Sequence, residues 1–329
     1  MLTIEQKQVK EMIEQAQHIL LLTDERIDGD TIGSTLGMYH ALKEMGKEVE
    51  VYSPHPNIKT LEFLPGTEII QRDPCVFESA SIDLIIVFDC SDGEYFKKDL
   101  CLQKHPAPLV VFDHHVSNPA YGNINIIEPD AASTADMVWR FVKATGLPMN
   151  KDAAQCILTG ICTDTHVFVT SNTTAACFDA AHELSKYGAK LQEIVQQTMM
   201  NKSLATLKLW GLAFERLFHH EGLDAAATVI TMKDIEDLEV DETDTKSLIN
   251  FLNSMLDGTD VVLVLKETPE GDVKGSLRSR RRNVKEVAEK LGGGGHIKAA
   301  GFKIPQARLE EKDGQWFVRK DDGEIVTIG

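Results

Sequence analysis

The sequence predicts an α/β protein in two parts, a parallel helix-covered sheet followed by a smaller α/β domain, joined by a helical linker. Three observations carry this. The runs Leu84–Phe88 and Leu109–Phe112 are apolar at every position, as in strands buried on both faces of a parallel sheet. Such strands alternate with segments of helical period, the pattern of a helix-covered sheet. The chain then reads almost wholly helical from about Ser133 to Ala213 before strand patterns return. The first part is set at residues 1–190, the linker at 191–215 and the second part at 216–329.

In chain order, Val9, Met12, Ile13 and Ala16 share one face of a first helix. The strand His18–Thr23 runs into an acidic stretch, after which Ile32, Leu36, Tyr39 and Leu42 recur at helical spacing. Glu48–Tyr52 is the next strand, followed by the two apolar runs. Helices are predicted over Ser133–Thr145, Lys151–Ile161, Thr174–Lys186 and Leu191–Gly211. In the second part Ala225–Thr231, Val261–Lys266 and Asp272–Leu277 read as strands. A helix carrying Leu248, Phe251, Leu252 and Met255 lies between the first two.

The 329 residues are about two domains' worth, since domains hold roughly 100–200 residues. Hydrophobic content of 43% and charged content of 26% are ordinary for a chain that buries a sizeable core. A net charge of −17 repels long polyanions, so a DNA or RNA duplex is not expected as a partner. A small anion held by local groups fits. The cysteines (Cys75, Cys90, Cys101, Cys156, Cys162, Cys177) form no Cys-x-x-Cys pair and are expected as buried, reduced thiols. The N-terminus lacks the basic-then-apolar order of a signal peptide, and no run reaches the ~18 apolar residues that cross a membrane. A cytoplasmic protein without membrane contact is the expectation; a homodimer stays open.

Three apolar strands each run into acids or histidines. "HILLLTDERIDGD" supplies Asp24, Asp28 and Asp30; "LIIVFDCSD" supplies Asp89; "LVVFDHHVSN" supplies Asp113, His114 and His115. In an open parallel sheet the carboxyl ends of strands converge on one crevice. Carboxylates gathered there repel one another unless a cation joins them, and oxygen plus imidazole donors suit Mn²⁺ or Mg²⁺. Taken singly, each acid reads as a loop residue or a helix cap, with Asp30 placed to cap a helix beginning at Thr31. Taken together, they read as a metal site. A calcium loop starting at Asp24 fails on spacing, because Arg26 and Thr35 would stand where it needs acids.

The stretch "KLGGGGHIKAAG" lies between an amphipathic turn (Val284, Val287, Ala288, Leu291) and a strand of small residues, Ala299–Phe302. It therefore reads as an ordered loop whose backbone amides approach an anion, and not as a linker. It contains no Gly-Lys-Ser/Thr and is no nucleotide P-loop. Arg278, Arg280, Arg281 and Arg282 form the densest basic patch of an acidic chain, and guanidinium groups suit phosphate oxygens. Surface solvation accounts for some of them.

"DHH" after one apolar strand and "DGD" after an earlier one resemble the DHH phosphoesterase family. "GICTDTHVF" (Gly160–Phe168) is similar to that family's fourth motif and supplies Asp164. Ser276–Phe302 resembles the core of the DHH-associated C-terminal substrate domain. Size and the Gly-Gly-Gly-Gly-His ending look most like the nanoRNase/pAp-phosphatase branch. The resemblance implies two divalent ions of one kind, Mn²⁺ in preference to Mg²⁺, and attack of a water held between them on phosphorus. Asp24 and Asp28 would serve the first ion; Asp30, His114 and Asp164 the second; Asp89 both. Asp113 would orient a histidine, and His115 would face the scissile phosphate. Asn118, Arg278, Ser279, Gly293, Gly294, Gly295 and His296 would contact substrate.

The implied substrates are short oligoribonucleotides, dinucleotides or 3′,5′-bisphosphoadenosine (pAp), gripped from both parts. Two departures stand out. Asp24 occupies the family's histidine position and Ile27 its proline position, which adds a negative charge and moves preference toward a harder ion. His166 replaces the motif's glycine, either as an extra ligand or phosphate contact or as filling. The alternatives are a DHH-class inorganic pyrophosphatase and a nucleotide-binding regulatory protein with a weakened site.

Overall fold

In the computed structural model, residues 2–25, 27–54, 59–91, 105–170, 172–240, 242–256 and 258–326 are described, and the chain divides into two units, Met1–Asn201 and Lys202–Gly329. Unit 1 is built on a parallel sheet of β1 (His18–Leu22), β2 (Glu48–Tyr52), β3 (Ile70–Gln71), β4 (Leu84–Phe88), β5 (Leu109–Asp113) and β6 (Ile124–Ile127). Their order is β3-β2-β1-β4-β5-β6, with Leu22 beside Tyr52 on one side and Val87 on the other. The order reverses between β1 and β4, so chain leaving these neighbouring strands departs in opposite directions and leaves a crevice at their carboxyl ends.

Uniform hydrophobicity of β1 and β4 has its reason in this sheet. Ile19, Leu21, Ile86 and Phe88 face a core beneath the helices, whereas Leu20, Leu22, Ile85 and Val87 face a second core with Tyr52 and Phe77. The helices of unit 1 are α1 (Ile4–Gln15), α2 (Gly29–Glu44), α3 (Thr134–Thr145), α4 (Lys151–Asp164), α5 (Ala175–Lys186) and α6 (Leu191–Thr198). Thr3, Ser133 and Asn150 cap α1, α3 and α4 through their side chains.

Helices α2 and α4 are pressed together by glycine. Gly29, Gly33 and Gly37 recur every fourth residue along α2, on one face. A Cβ on Gly33 would lie 2.5 Å from the Cys156 carbonyl, and one on Gly160 would lie 2.5 Å from Ala135 Cβ. This close packing sets Asp30, Asp164 and the start of α3 against each other.

Unit 2 opens with α7 (Leu204–Glu215) and contains a second six-stranded sheet of β7 (Phe218–His220), β8 (Ala225–Ile230), β9 (Val261–Glu267), β10 (Val273–Ser279), β11 (Gly294–His296) and β12 (Ala299–Ile304). Its order is β11-β12-β10-β9-β8-β7, parallel only between β8 and β9. Helices α7, α8 (Met232–Leu238) and α9 (Glu242–Met255) enclose one core with Val262 and Val264. α10 (Lys285–Lys290) and a sheet of β13 (Ala307–Lys312), β14 (Gln315–Lys320) and β15 (Ile325–Val326) enclose the other.

Several expectations need correction. The single helix predicted over Leu191–Gly211 is two, because the chain leaves helical geometry after Met199 and Ser203 caps a new helix through the Thr206 amide. The division between the units, after Asn201, falls inside the stretch 191–215 set as the linker. Cys75 is exposed, Cys90, Cys156, Cys162 and Cys177 are buried and free, and Cys101 lies outside the described residues. The glycine run is part strand: Gly294 pairs with Gly301 and Gly295 with Ala300. A Cβ on Gly293 would lie 2.1 Å from the Gly301 carbonyl, so strand approach demands the glycine. No helix among the described residues is long and apolar enough to cross a membrane.

Candidate metal centre

The loop after β1 enters α2 at Asp28, whose Oδ1 accepts from the amides of Asp30 (2.9 Å) and Thr31 (3.0 Å). Asp28 is thus the helix cap, and Asp30, expected in that role, sits inside the first turn. Asp30 is 1% exposed, and its two oxygens accept from the Thr134 amide (2.7 Å) and the Ala135 amide (2.8 Å). These amides open α3, where helix geometry leaves them without partners of their own.

Asp89 follows β4 directly, with φ of 56°, a left-handed conformation that turns its carboxylate inward. Thr31 Oγ1 donates to one oxygen (2.8 Å) and Thr134 Oγ1 to the other (3.0 Å). Asp113 ends β5, fully buried. His115 donates to its Oδ1 from Nδ1 (2.7 Å) and from the backbone amide (3.1 Å), and Asn118 Nδ2 donates to its Oδ2 (2.6 Å). His114 Nε2 lies 3.7 Å from Asp89 Oδ1, 3.9 Å from Asp164 Oδ2 and 4.0 Å from Asp30 Oδ2. Its Nδ1 is 3.3 Å from the Ala131 carbonyl; with the proton there, Nε2 presents its lone pair to the three acids.

Electrostatics single out the same residues. Burial first, then the charges of Asp164 and Asp28, hold the Asp30 carboxyl well above the usual range. Asp89 is raised likewise by burial and then by Asp30 and Asp28. Burial and Asp28 push Asp164 up to about 7. Burial lowers His114, favouring the neutral ligand form. The hydrogen bond to Asp113 raises His115 to about 9 against burial, so it is an imidazolium at neutral pH. Burial would raise Asp113, but the bonds from His115 and Asn118 outweigh it and hold it low.

Buried carboxylates that raise one another fit a cation among them. Donor atoms within 4.8 Å of one another form two groups, Asp89–His114–His115 and Asp30–His114–Asp164. Oxygen and imidazole donors, with no thiolate, suit a hard divalent ion. Asp24, part-buried, and Asp28, exposed, fall outside both groups, although Asp28 is close enough to raise three of the acids. His166 has φ of 46° and begins three left-handed residues, His166–Phe168, that close α4 just past Asp164.

The expected substrate contacts divide. Asn118 spends both donors on Asp113 and the Cys90 carbonyl, so it braces the motif. In unit 2, Ser279 is 4% exposed and its hydroxyl accepts from the Arg281 and Arg282 amides, shaping a turn. Arg280 caps the end of α9 through the Asn253 and Ser254 carbonyls, and Arg282 donates to the Leu223 carbonyl. Arg278 stands apart: part-buried and held by Asn250 Oδ1 at 3.0 Å. His296 ends β11 on the sheet edge beside Gly294 and Gly295. Sequence reading missed Thr31, Thr134 and the Ala131 carbonyl. The signal available was weak: a hydroxyl residue in the first turn of each helix, in "DGDT" and "AST".

A model of the DHH family N-terminal domain matches residues 18–161, and one of the DHHA1 domain matches residues 225–313. The bifunctional oligoribonuclease and PAP phosphatase NrnA of Thermus thermophilus is 33% identical over 288 residues, 86% of this chain and 83% of that protein. The chain belongs to the DHH family. Solved structures with a similar fold include an exopolyphosphatase-related protein from Bacteroides fragilis, with TM-score 0.82 at 24% identity over 92% of each chain. RecJ of Thermus thermophilus in complex with Mn²⁺ shares the fold at TM-score 0.52 and 15% identity, covering 92% of this chain and 52% of RecJ. Asp113, His114 and His115 lie within the stretch that the DHH N-terminal domain model matches.

Proposed function

We propose that this DHH-family protein is a divalent-metal-dependent phosphoesterase acting on short oligoribonucleotides, dinucleotides and pAp. The observation that carries this reading is the convergence of Asp30, Asp89, His114 and Asp164 at the carboxyl edge of the sheet, with acids held above their usual range. The NrnA relative names the two substrate classes. Two ions, Mn²⁺ or Mg²⁺, are the proposed cofactors; Asp24, Asp28, Asp30, Asp89, His114 and Asp164 would hold them. When bound they supply Lewis-acid charge to the phosphoryl oxygens and a nucleophilic water at neutral pH.

The remaining work belongs to the chain. His115, protonated at neutral pH and fixed by Asp113, offers positive charge and a proton to the scissile phosphate or its leaving oxygen. Asp113 keeps the ring oriented, and Asn118 keeps Asp113 oriented. Arg278, with His296 and the glycines 293–295, is proposed to bind a substrate phosphate through guanidinium and backbone donors. A short anion held by such local groups is compatible with a net charge of −17.

The test is a panel of pApA, pAp, a short RNA and pyrophosphate, assayed with Mn²⁺, Mg²⁺ and Co²⁺. Hydrolysis of the nucleotides and not of pyrophosphate is expected. Preferential cleavage of pyrophosphate would establish the pyrophosphatase reading instead, and nucleotide binding without turnover the regulatory one.

A further inference from the structure

The segment from Glu128 to Ala135 touches the candidate centre at three points. Its Ala131 carbonyl meets His114 Nδ1 (3.3 Å), its Thr134 and Ala135 amides hold Asp30 (2.7 and 2.8 Å), and its Thr134 hydroxyl holds Asp89 (3.0 Å). A stretch that orients three ligands must itself be held. Backbone bonds do part of this: the Glu128 amide donates to the Asp113 carbonyl (3.1 Å) and the Ala131 amide to the Glu128 carbonyl (2.9 Å).

The side-chain clamp is Arg140, which bridges Glu128 at the start of the segment to Asp136 just past its end. Its Nη1 donates to Glu128 Oε2 at 2.6 Å and its Nε to Asp136 Oδ2 at 3.0 Å. The Asp136 side chain is 5% exposed, and its Oδ1 is buried with no hydrogen-bond partner among the described residues. A buried carboxylate so placed depends on the guanidinium, because loss of one partner leaves an uncompensated charge. Glu128, Asp136 and Arg140 also line an open pocket of about 430 Å³ together with Asp130 and Thr174, and the Arg140 side chain is part-exposed there.

We propose that Arg140 is a positioning residue for the metal centre: by clamping Glu128 to Asp136 it fixes the Ala131 carbonyl at His114 and the α3 amides at Asp30. It acts through these groups and lies outside both donor groups. This role rests on the functional reading above. Lysine, a single point charge, cannot reproduce the two-armed bridge.

The experiment is calorimetric titration of the full chain with Mn²⁺ without substrate, alongside steady-state hydrolysis of pApA, for Arg140→Ala, Arg140→Lys and Glu128→Gln. Mn²⁺ affinity is expected to fall about tenfold or more in Arg140→Ala, as for lost supports of metal ligands elsewhere, with kcat falling and KM within about twofold. Arg140→Lys should lie between parent and alanine. Glu128→Gln keeps the shape of the loop and should lose affinity in the same direction, which keeps the test decisive where the alanine variant does not fold. Unchanged Mn²⁺ affinity in the folded variants would overturn the role, whether or not KM rises. A parent protein that neither binds Mn²⁺ nor hydrolyses pApA would sink the functional reading and this role together; a competent parent beside unaffected variants sinks this role alone.

Discussion

At the residue scale the site is a balance between buried negative charge and the few groups that offset it. Asp164, raised to about 7 by burial and Asp28, keeps a proton in the metal-free fold that the unfolded chain releases near 3.8. His115, raised to about 9 by Asp113, keeps one that the unfolded chain releases near 6.5. At these two groups the folded state therefore binds more protons from about pH 4 to pH 9, while His114, lowered by burial, opposes them just below its ordinary 6.5. The two raised groups outweigh it, and linkage makes metal-free stability fall as pH rises through that window. Asp113, held low, works the other way only below its ordinary value of 3.8. The melting temperature of metal-free protein should be lower at pH 8 than at pH 5, and Mn²⁺ should raise it more at pH 8, where protons compete less. A metal-free melting temperature that climbs over this range would count against the picture. Asp24 provides a second test. Asp24→His exchanges a hard donor for a borderline one, so the ratio of Mg²⁺-supported to Mn²⁺-supported activity should fall. An unchanged ratio would show that Asp24 does not reach a metal.

At the scale of elements, the close crossing of α2 and α4 holds Asp30 and Asp164 in register. Gly33→Ala would force a methyl against the Cys156 carbonyl at 2.5 Å, and overpacking of this kind costs about 1–3 kcal/mol. Because the same crossing seats Asp30 and Asp164, Mn²⁺ affinity should fall with stability; a Gly33→Ala protein that melts and binds like the parent would remove this role. Much of this scale was legible in the sequence. β2, β4 and the start of α4 fall where apolar runs and helical spacing placed them, since burial on one or both faces writes a period into the chain. The glycine stripe of α2 was equally visible at positions 29, 33 and 37, but glycine lacks the side chain on which a hydrophobic period is read. The cap was misplaced by two residues because Asp28 and Asp30 both have the chemistry of a cap. Only the α3 amides, more than a hundred residues away, decide which one turns inward. β13 to β15 went unread: Arg308, Glu310 and Arg319 on one face of the hairpin leave too few apolar positions for a strand signal.

At the scale of the whole molecule, acidic strand ends, topology and charge agree. The sheet order reverses between β1 and β4, and Asp30 and Asp89 enter from the segments that leave those two strands. The proposed ligand residues stand out in the sequence because each closes an apolar strand or a recognisable motif. Their supports, Thr31, Thr134, Ala131 and Arg140, do not, because they act through contacts distant in sequence. An acidic chain acting on a short anion should also show a mild salt dependence, since few phosphate contacts release few counterions. The apparent affinity for pApA should change far less between 50 and 200 mM salt than the roughly 10³-fold or greater loss typical of proteins with six or more phosphate contacts. The central claim, that the converging acids and histidines form a hydrolytic metal centre, is met most directly by the rate of AMP release from pApA across a Mn²⁺ titration of the parent and Asp89→Asn. The account predicts saturable, Mn²⁺-dependent release that chelator abolishes and that Asp89→Asn lowers by at least about a hundredfold, as for loss of a principal electrostatic group. Release that is absent from the parent, or equal in the variant, would contradict it.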